Sequence, residues 1–118
     1  MDVETFREIC LRKKAVEETF PFDEVTLVFK VMGKMFALLP LNDDPARANL
    51  KALPEQAIEW REQNHQVVPG WHMNKKHWNT VYIEDGLEDE FIMEMIDHSY
   101  KQVVLKLPKK VQKELADL

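Results

Sequence analysis

Four histidines, one cysteine and a large stock of carboxylates are the groups in this 118-residue chain that could hold a metal or move a proton. A transition-metal site needs three or four N, S or O ligands converging on one point. His72 and His77 stand five apart with no carboxylate or cysteine near them in sequence, so their ligand set is incomplete and no metal is expected. His65 and His98 are isolated. Nucleophilic catalysis needs a serine or cysteine activated by a base or presented on a strained turn. Cys10 falls on the apolar side of the first amphipathic segment, and Ser99 lies inside a long helical stretch. The three glycines, Gly33, Gly70 and Gly86, each coincide with a separate turn and form no phosphate-cradling loop. The expectation is a chain with no catalytic centre and no cofactor.

The residues that stand out lie between Val67 and Ile83. This stretch holds two of the three tryptophans, Trp71 and Trp78, and two of the four histidines, and no acidic residue occurs from Gln63 until Glu84. It reads as a hairpin, with Trp71-His72-Met73 pairing with Trp78 to Ile83 across a tip of Asn74, Lys75, Lys76 and His77. A first hairpin tip carries Lys30 and Lys34. Basic hairpin tips can contact phosphates or enter a groove as wings do. Exposed lysines at turns also keep sheet edges from pairing with other chains. The exposed surface around Trp71 and His72 offers an alternative, a non-catalytic protein-interaction or small-ligand-binding module.

The elements that must position these groups follow from periodicity. Asp2 to about Val16 reads as an amphipathic helix capped by Asp2, with Val3, Phe6, Ile9 and Cys10 on one side and Arg12, Lys13 and Lys14 in its last turns. Val25 to Leu39 alternates as a hairpin turning at Met32 and Gly33, which would set Phe29 opposite Phe36 and Leu27 opposite Leu38 on the core face. Arg47 to Lys51 is a third strand. Pro54 opens a helix to about Asn64, with Ala57 and Trp60 inward, Ile58 and Asn64 as further candidates for that face, and Glu55, Glu59, Arg61 and Glu62 solvated. A long helix from about Leu87 to Leu107 carries the stripe Phe91, Ile92, Met95, Ile96, Tyr100, Val103, Val104 and Leu107, acidic at its start and basic at its end. A short helix follows Pro108. Together these predict one α+β domain over residues 1–118, an antiparallel sheet of five or six strands with helices packed on one face.

Composition sets the outer limits. An apolar fraction of 45% suits a folded protein whose core needs no staples. A lone cysteine, an acidic start and no long apolar run suggest a monomer of the cytoplasm, with no membrane partner. The net charge of −5 works against a general affinity for nucleic acid, although a local basic patch can override the field of the whole chain.

Phe20-Pro21-Phe22, Phe29-Lys30-Val31, Gly33-Lys34-Met35-Phe36, Asn49-Leu50-Lys51, Pro54-Glu55, Arg61-Glu62, the run from Pro69 to Val81, and Ser99-Tyr100 together resemble the MmcQ/YjbR family, in order and over nearly the whole chain. Trp71 departs from the pattern, where a tyrosine is more usual, as does Met32, where a second glycine is common. The resemblance implies a frataxin-like (CyaY-like) α+β sandwich described as a double-wing motif, and DNA as a partner.

Overall fold

The computed structural model describes all of residues 1–118. In chain order the elements are α1 (Val3–Leu11), β1 (Val16–Thr19), β2 (Thr26–Val31), β3 (Lys34–Pro40), β4 (Arg47–Lys51), α2 (Pro54–Gln63), β5 (Val67–Pro69), β6 (Trp78–Tyr82), α3 (Asp89–Leu105) and α4 (Lys109–Ala116). The six strands form one sheet in the order β1-β2-β3-β4-β6-β5, every neighbouring pair antiparallel. No helix is long and apolar enough to cross a membrane.

Asp2 caps α1 as its position predicts, accepting the Thr5 N–H at 2.7 Å, and Phe6, Ile9 and Cys10 are buried along one face. The helix stops at Leu11 rather than reaching Val16. Ala15 adopts a left-handed φ of 60°, the Tyr100 hydroxyl donates to the Lys14 carbonyl at 2.7 Å, and Val16 enters an edge strand paired with Val31. That strand, Val-Glu-Glu-Thr, has no buried residue. It carries no alternation of apolar and polar residues by which sequence could announce it.

The β2–β3 turn falls where expected. Met32 (φ 49°) and Gly33 (φ 83°) are both left-handed and join Val31 to its partner Lys34, the geometry that a two-residue hairpin requires. The expected register fails beyond it. Lys30 pairs with Met35, but Phe29 pairs with Ala37 and Leu27 with Leu39, so Phe36 is an extra residue on β3, a β-bulge. Phe36 and Ala37 therefore both join the helix-side core, and Leu38 turns to the opposite face.

The bulge also shortens the β3–β4 ladder to Ala37↔Leu50 and Leu38↔Asn49. Ser99, fully buried on α3, fills the gap: its hydroxyl donates to the Phe36 carbonyl at 2.5 Å and accepts the Lys51 N–H at 2.8 Å. A strand irregularity is thus tied to the long helix by one side chain.

The main core lies between the sheet and the helices, with Phe6, Phe29, Phe36, Ile83, Ile92, Met95 and Ile96 fully buried. Ala57 and Trp60 of α2 join it, whereas Ile58, a candidate for the inward face, is half exposed because its position on the helix turns away from the sheet. The other face of the sheet carries a small cluster of Val28, Leu38 and Trp78, flanked by Met35 and Met73, to which no helix contributes.

Candidate functional site

Because the sheet is antiparallel throughout, its register decides which turns share an end. The start of β1, the Met32-Gly33 turn, the end of β4 and the loop between β5 and β6 all lie together, at what we term the tip end. The N-terminus of α3 lies at the opposite, far end, where the Met1 ammonium donates to the Ile83 carbonyl at 2.8 Å and sits 3.6 Å from Asp89. From there α3 runs past Ser99, against Lys51, so Lys106 and the start of α4 arrive at the tip end.

Charge divides along the same axis. The tip-end segments carry Arg12, Lys13 and Lys14, Lys30 and Lys34, Lys51, Lys75 and Lys76, and Lys106, Lys109 and Lys110, with no acid among residues 12–15, 30–34, 74–77 or 106–110, although Glu17 of β1 stands opposite Lys30. The far-end segments, residues 20–25, 41–46 and 83–90, carry Asp23, Glu24, Asp43, Asp44, Glu84, Asp85, Glu88, Asp89 and Glu90, with no lysine or arginine. Lys13 is ion-paired with Asp97, and Arg12 lies 3.9 Å from Glu8. Lys30, Lys34, Lys51, Lys76 and Lys106 make no ion pair or side-chain hydrogen bond. His77 sits among these cations. Its imidazole is held below the usual range, first by desolvation and then by Lys106, Lys51 and Lys76. Lys51 is lowered likewise, by desolvation and then by Lys106.

The second hairpin differs from the one read in the sequence. Its strands are Val67–Pro69 and Trp78–Tyr82, and Trp71-His72-Met73 belongs to the loop between them. Gly70 explains the departure. Its N–H donates to the Trp78 carbonyl at 2.9 Å, and a Cβ there would sit 2.9 Å from both Trp78 Cβ and Trp78 O, so the chain passes too close for a side chain and swings across the helix-free face. Trp71 is held there by its backbone: its N–H donates to Thr80 Oγ1 at 2.8 Å and its carbonyl accepts Asn49 Nδ2 at 3.1 Å. The Thr80 hydroxyl in turn donates to Asn49 Oδ1 at 2.6 Å, within a buried pair. His72 follows with a left-handed φ of 58°.

The return of the loop is closed by Asn74, whose side chain accepts the Lys76 N–H at 2.9 Å and whose carbonyl accepts the Trp78 N–H at 3.0 Å. The Lys75 ammonium folds back onto the Gly70 carbonyl at 2.8 Å. The His77 carbonyl accepts the Ala52 N–H at 2.8 Å, joining the loop to the end of β4. Beneath it lies Arg61 of α2, which sequence reasoning placed in solvent. Its Nε donates to Asn79 Oδ1 at 2.6 Å and its Nη2 to the carbonyls of Lys75 and Trp78. An asparagine at Asn79, two residues before the inward-facing Val81, was the available signal, because a buried amide on a strand demands a partner.

The candidate residues thus fall into two groups. Lys30, Lys34, Asn74, Lys75, Lys76 and His77 share the tip end with Lys51 and Lys106, which sequence reasoning did not include. Trp71 and His72 lie instead over the helix-free face, where they line a cleft of about 510 Å³ with Phe22, Asp23, Asp43 and Arg47. Cys10 is fully buried and desolvation pushes its thiol well up, away from the reactive thiolate. No three His, Cys, Asp or Glu side chains gather closely enough to hold a metal ion.

These features define a small α+β protein, one sheet with helices on a single face and a long ordered loop on the other. The chain belongs to the YjbR family, whose model matches residues 11–102. It is 33% identical to the uncharacterized protein YjbR of Escherichia coli (strain K12) over 118 residues, the full length of both chains. It is also 33% identical to the uncharacterized protein YbdF of Escherichia coli O157:H7, over 95% of this chain and 92% of that one. Among solved structures, it resembles the Deinococcus radiodurans protein DR2400, of the DUF419 domain type, with a TM-score of 0.89 and 40% identity over 97% of this chain and 87% of that one. A Pseudomonas syringae protein matches with a TM-score of 0.76 and 26% identity, over 86% of this chain and 98% of that one.

Proposed function

We propose that residues 1–118 act as one non-catalytic nucleic-acid-binding domain, which grips the phosphates of a duplex with the tip end of its sheet. The observation that carries this reading is the separation of charge along the strands. A net charge of −5 spread evenly would repel a polyanion. Gathered at opposite ends, the same charges form a dipole that turns the tip end toward the polyanion and holds the acidic start of α3 away from it.

The two hairpin tips then serve as two wings. They are about three strand spacings apart, roughly 14 Å at the usual interstrand distance, close to the roughly 12 Å width of a major groove. Lys30 and Lys34 on one tip and Asn74, Lys76 and His77 on the other would make the contacts, with Lys51 and Lys106 between them. Lys75 contributes less, since its ammonium already serves the Gly70 carbonyl. Such contacts fix position without reading bases, so binding is electrostatic and tolerant of sequence. A binding rather than catalytic role fits the burial of Cys10 and Ser99, the chain's one cysteine and one serine.

Titration of a short DNA duplex at several salt concentrations tests the proposal. With Lys30, Lys34, Lys51, Lys76 and Lys106 each neutralising one phosphate at about −0.9 in slope, the log–log salt dependence should be no steeper than about −4.5, and unrelated duplexes should bind alike. Absence of binding at low salt would remove the proposal.

A further inference from the structure

We propose that the cleft on the helix-free face is a binding site for a small organic cation, an ammonium or guanidinium group carried on an apolar body. The site lies toward the far end of the sheet, away from the basic tips. Its size, about 510 Å³, is that of a small-molecule pocket.

Three observations point to a ligand of this kind. First, the walls present aromatic surface to solvent without covering it: Phe22 is 64% and Trp71 47% exposed, while Leu38 is buried in the floor. Second, Trp71 is held rigidly. Its N–H and carbonyl are both bonded to the buried Thr80–Asn49 pair, and the next residue, His72, holds a left-handed backbone. Fixing an exposed tryptophan by a buried polar network and a disfavoured φ adds nothing to the core, and such positions are typical of preorganised sites. Third, the charges favour a cation. Asp23 and Asp43 line the cleft, with Glu24 and Asp44 next to them in sequence, against Arg47 and the imidazole of His72.

Arg47 itself illustrates the chemistry. Its guanidinium lies 4.4 Å from the centre of the Trp71 ring while its Nε sits 2.7 Å from an Asp43 carboxylate oxygen. The same chemistry, a cation against an aromatic face in a net acidic cleft, is open to a ligand at the exposed Phe22 ring. An anion of the same size would meet the Asp23 carboxylate, which is kept ionised by the Val25 and Thr26 N–H groups that donate to it at 2.9 and 2.6 Å. A neutral aromatic molecule would gain the stacking and forgo the charge.

The test is a binding titration followed by tryptophan fluorescence and by amide chemical shifts, with phenethylammonium and agmatine as probes and 3-phenylpropionate as the size-matched anion. The cations should saturate, shift the amides of residues 71–73, and weaken about tenfold in Trp71→Ala and in Phe22→Ala, a loss in keeping with a partly desolvated cation–π contact. Both side chains are about half exposed or more, so the variants should fold, and if Trp71→Ala does not, Phe22→Ala decides alone. The anion binding as well as the cations, affinity surviving the substitutions, or no saturation by either cation up to about 10 mM, an affinity too weak for a specific site, would each overturn the proposal.

Discussion

Ser99 shows how much one side chain can carry. Its hydroxyl is the partner of two backbone groups that the bulge at Phe36 separates, and Ser99→Ala would leave the buried Phe36 carbonyl and the part-buried Lys51 N–H without it. Each stranded buried group costs about 1–3 kcal/mol, so the urea midpoint should fall by an amount equivalent to at least about 1 kcal/mol. A loss under about 0.5 kcal/mol, the size of an ordinary surface substitution, would mean that the sheet closes without the serine. His98 gives a second test at this scale. Its Nε2 accepts the Leu53 N–H at 3.1 Å and its ring stands edge-on to Trp60, so the fold requires the neutral form. Desolvation holds its pKa below the ordinary imidazole value, outweighing Glu94, which raises it, with Lys101 acting in the same direction as desolvation. A group with a depressed native pKa binds its proton more readily when unfolded, so below the ordinary pKa of about 6.5 the protein should lose stability as pH falls. Denaturation midpoints of the native chain and His98→Gln, compared from about pH 7.5 down to about 5.5, should fall more steeply in the native chain and show the flatter profile in the variant. Identical slopes would contradict the assignment. The sequence could place neither role, because a lone serine or histidine in a helix does not name its partner across the core.

Among the elements, α1 with its Asp2 cap, the Met32-Gly33 turn, β4, α2 from Pro54, and the apolar stripe of α3 were all legible, since each is written in local periodicity and turn chemistry. The failures share a cause. The bulge on β3, the edge strand β1 and the true span of the second hairpin depend on contacts distant in sequence, such as Tyr100 with the Lys14 carbonyl and Arg61 with Asn79. Gly70 is the hinge of the last of these. Gly70→Ala sets a methyl group 2.9 Å from the Trp78 carbonyl oxygen, and either the loop or β6 must move. Overpacking of this kind costs about 1–3 kcal/mol, and here it should also free Trp71 from Thr80, seen as a loss of tryptophan fluorescence anisotropy. Full stability with unchanged anisotropy would show that the close approach is not what directs the loop.

At the scale of the whole molecule, the family and the α+β architecture were legible and the distribution of charge was not. Net charge is a sum over the chain, and only the register reveals that Lys34, Lys51, Lys76 and Lys106 meet at one end while Asp23, Asp43, Glu84 and Asp89 meet at the other. The same register separated Trp71 and His72 from the lysines with which sequence proximity had grouped them. The central claim is that placement of charge, rather than its total, governs contact with a polyanion. It is tested by two double variants with the same net charge: Lys34→Gln with Lys76→Gln at the tip end, and Arg7→Gln with Arg47→Gln away from it. Duplex affinity is measured for each across a range of salt. The tip-end pair should weaken binding and flatten the log–log salt slope by about 2 units, while the other pair leaves the slope unchanged. Equal changes in the two would mean that only the total charge matters, and would contradict the account.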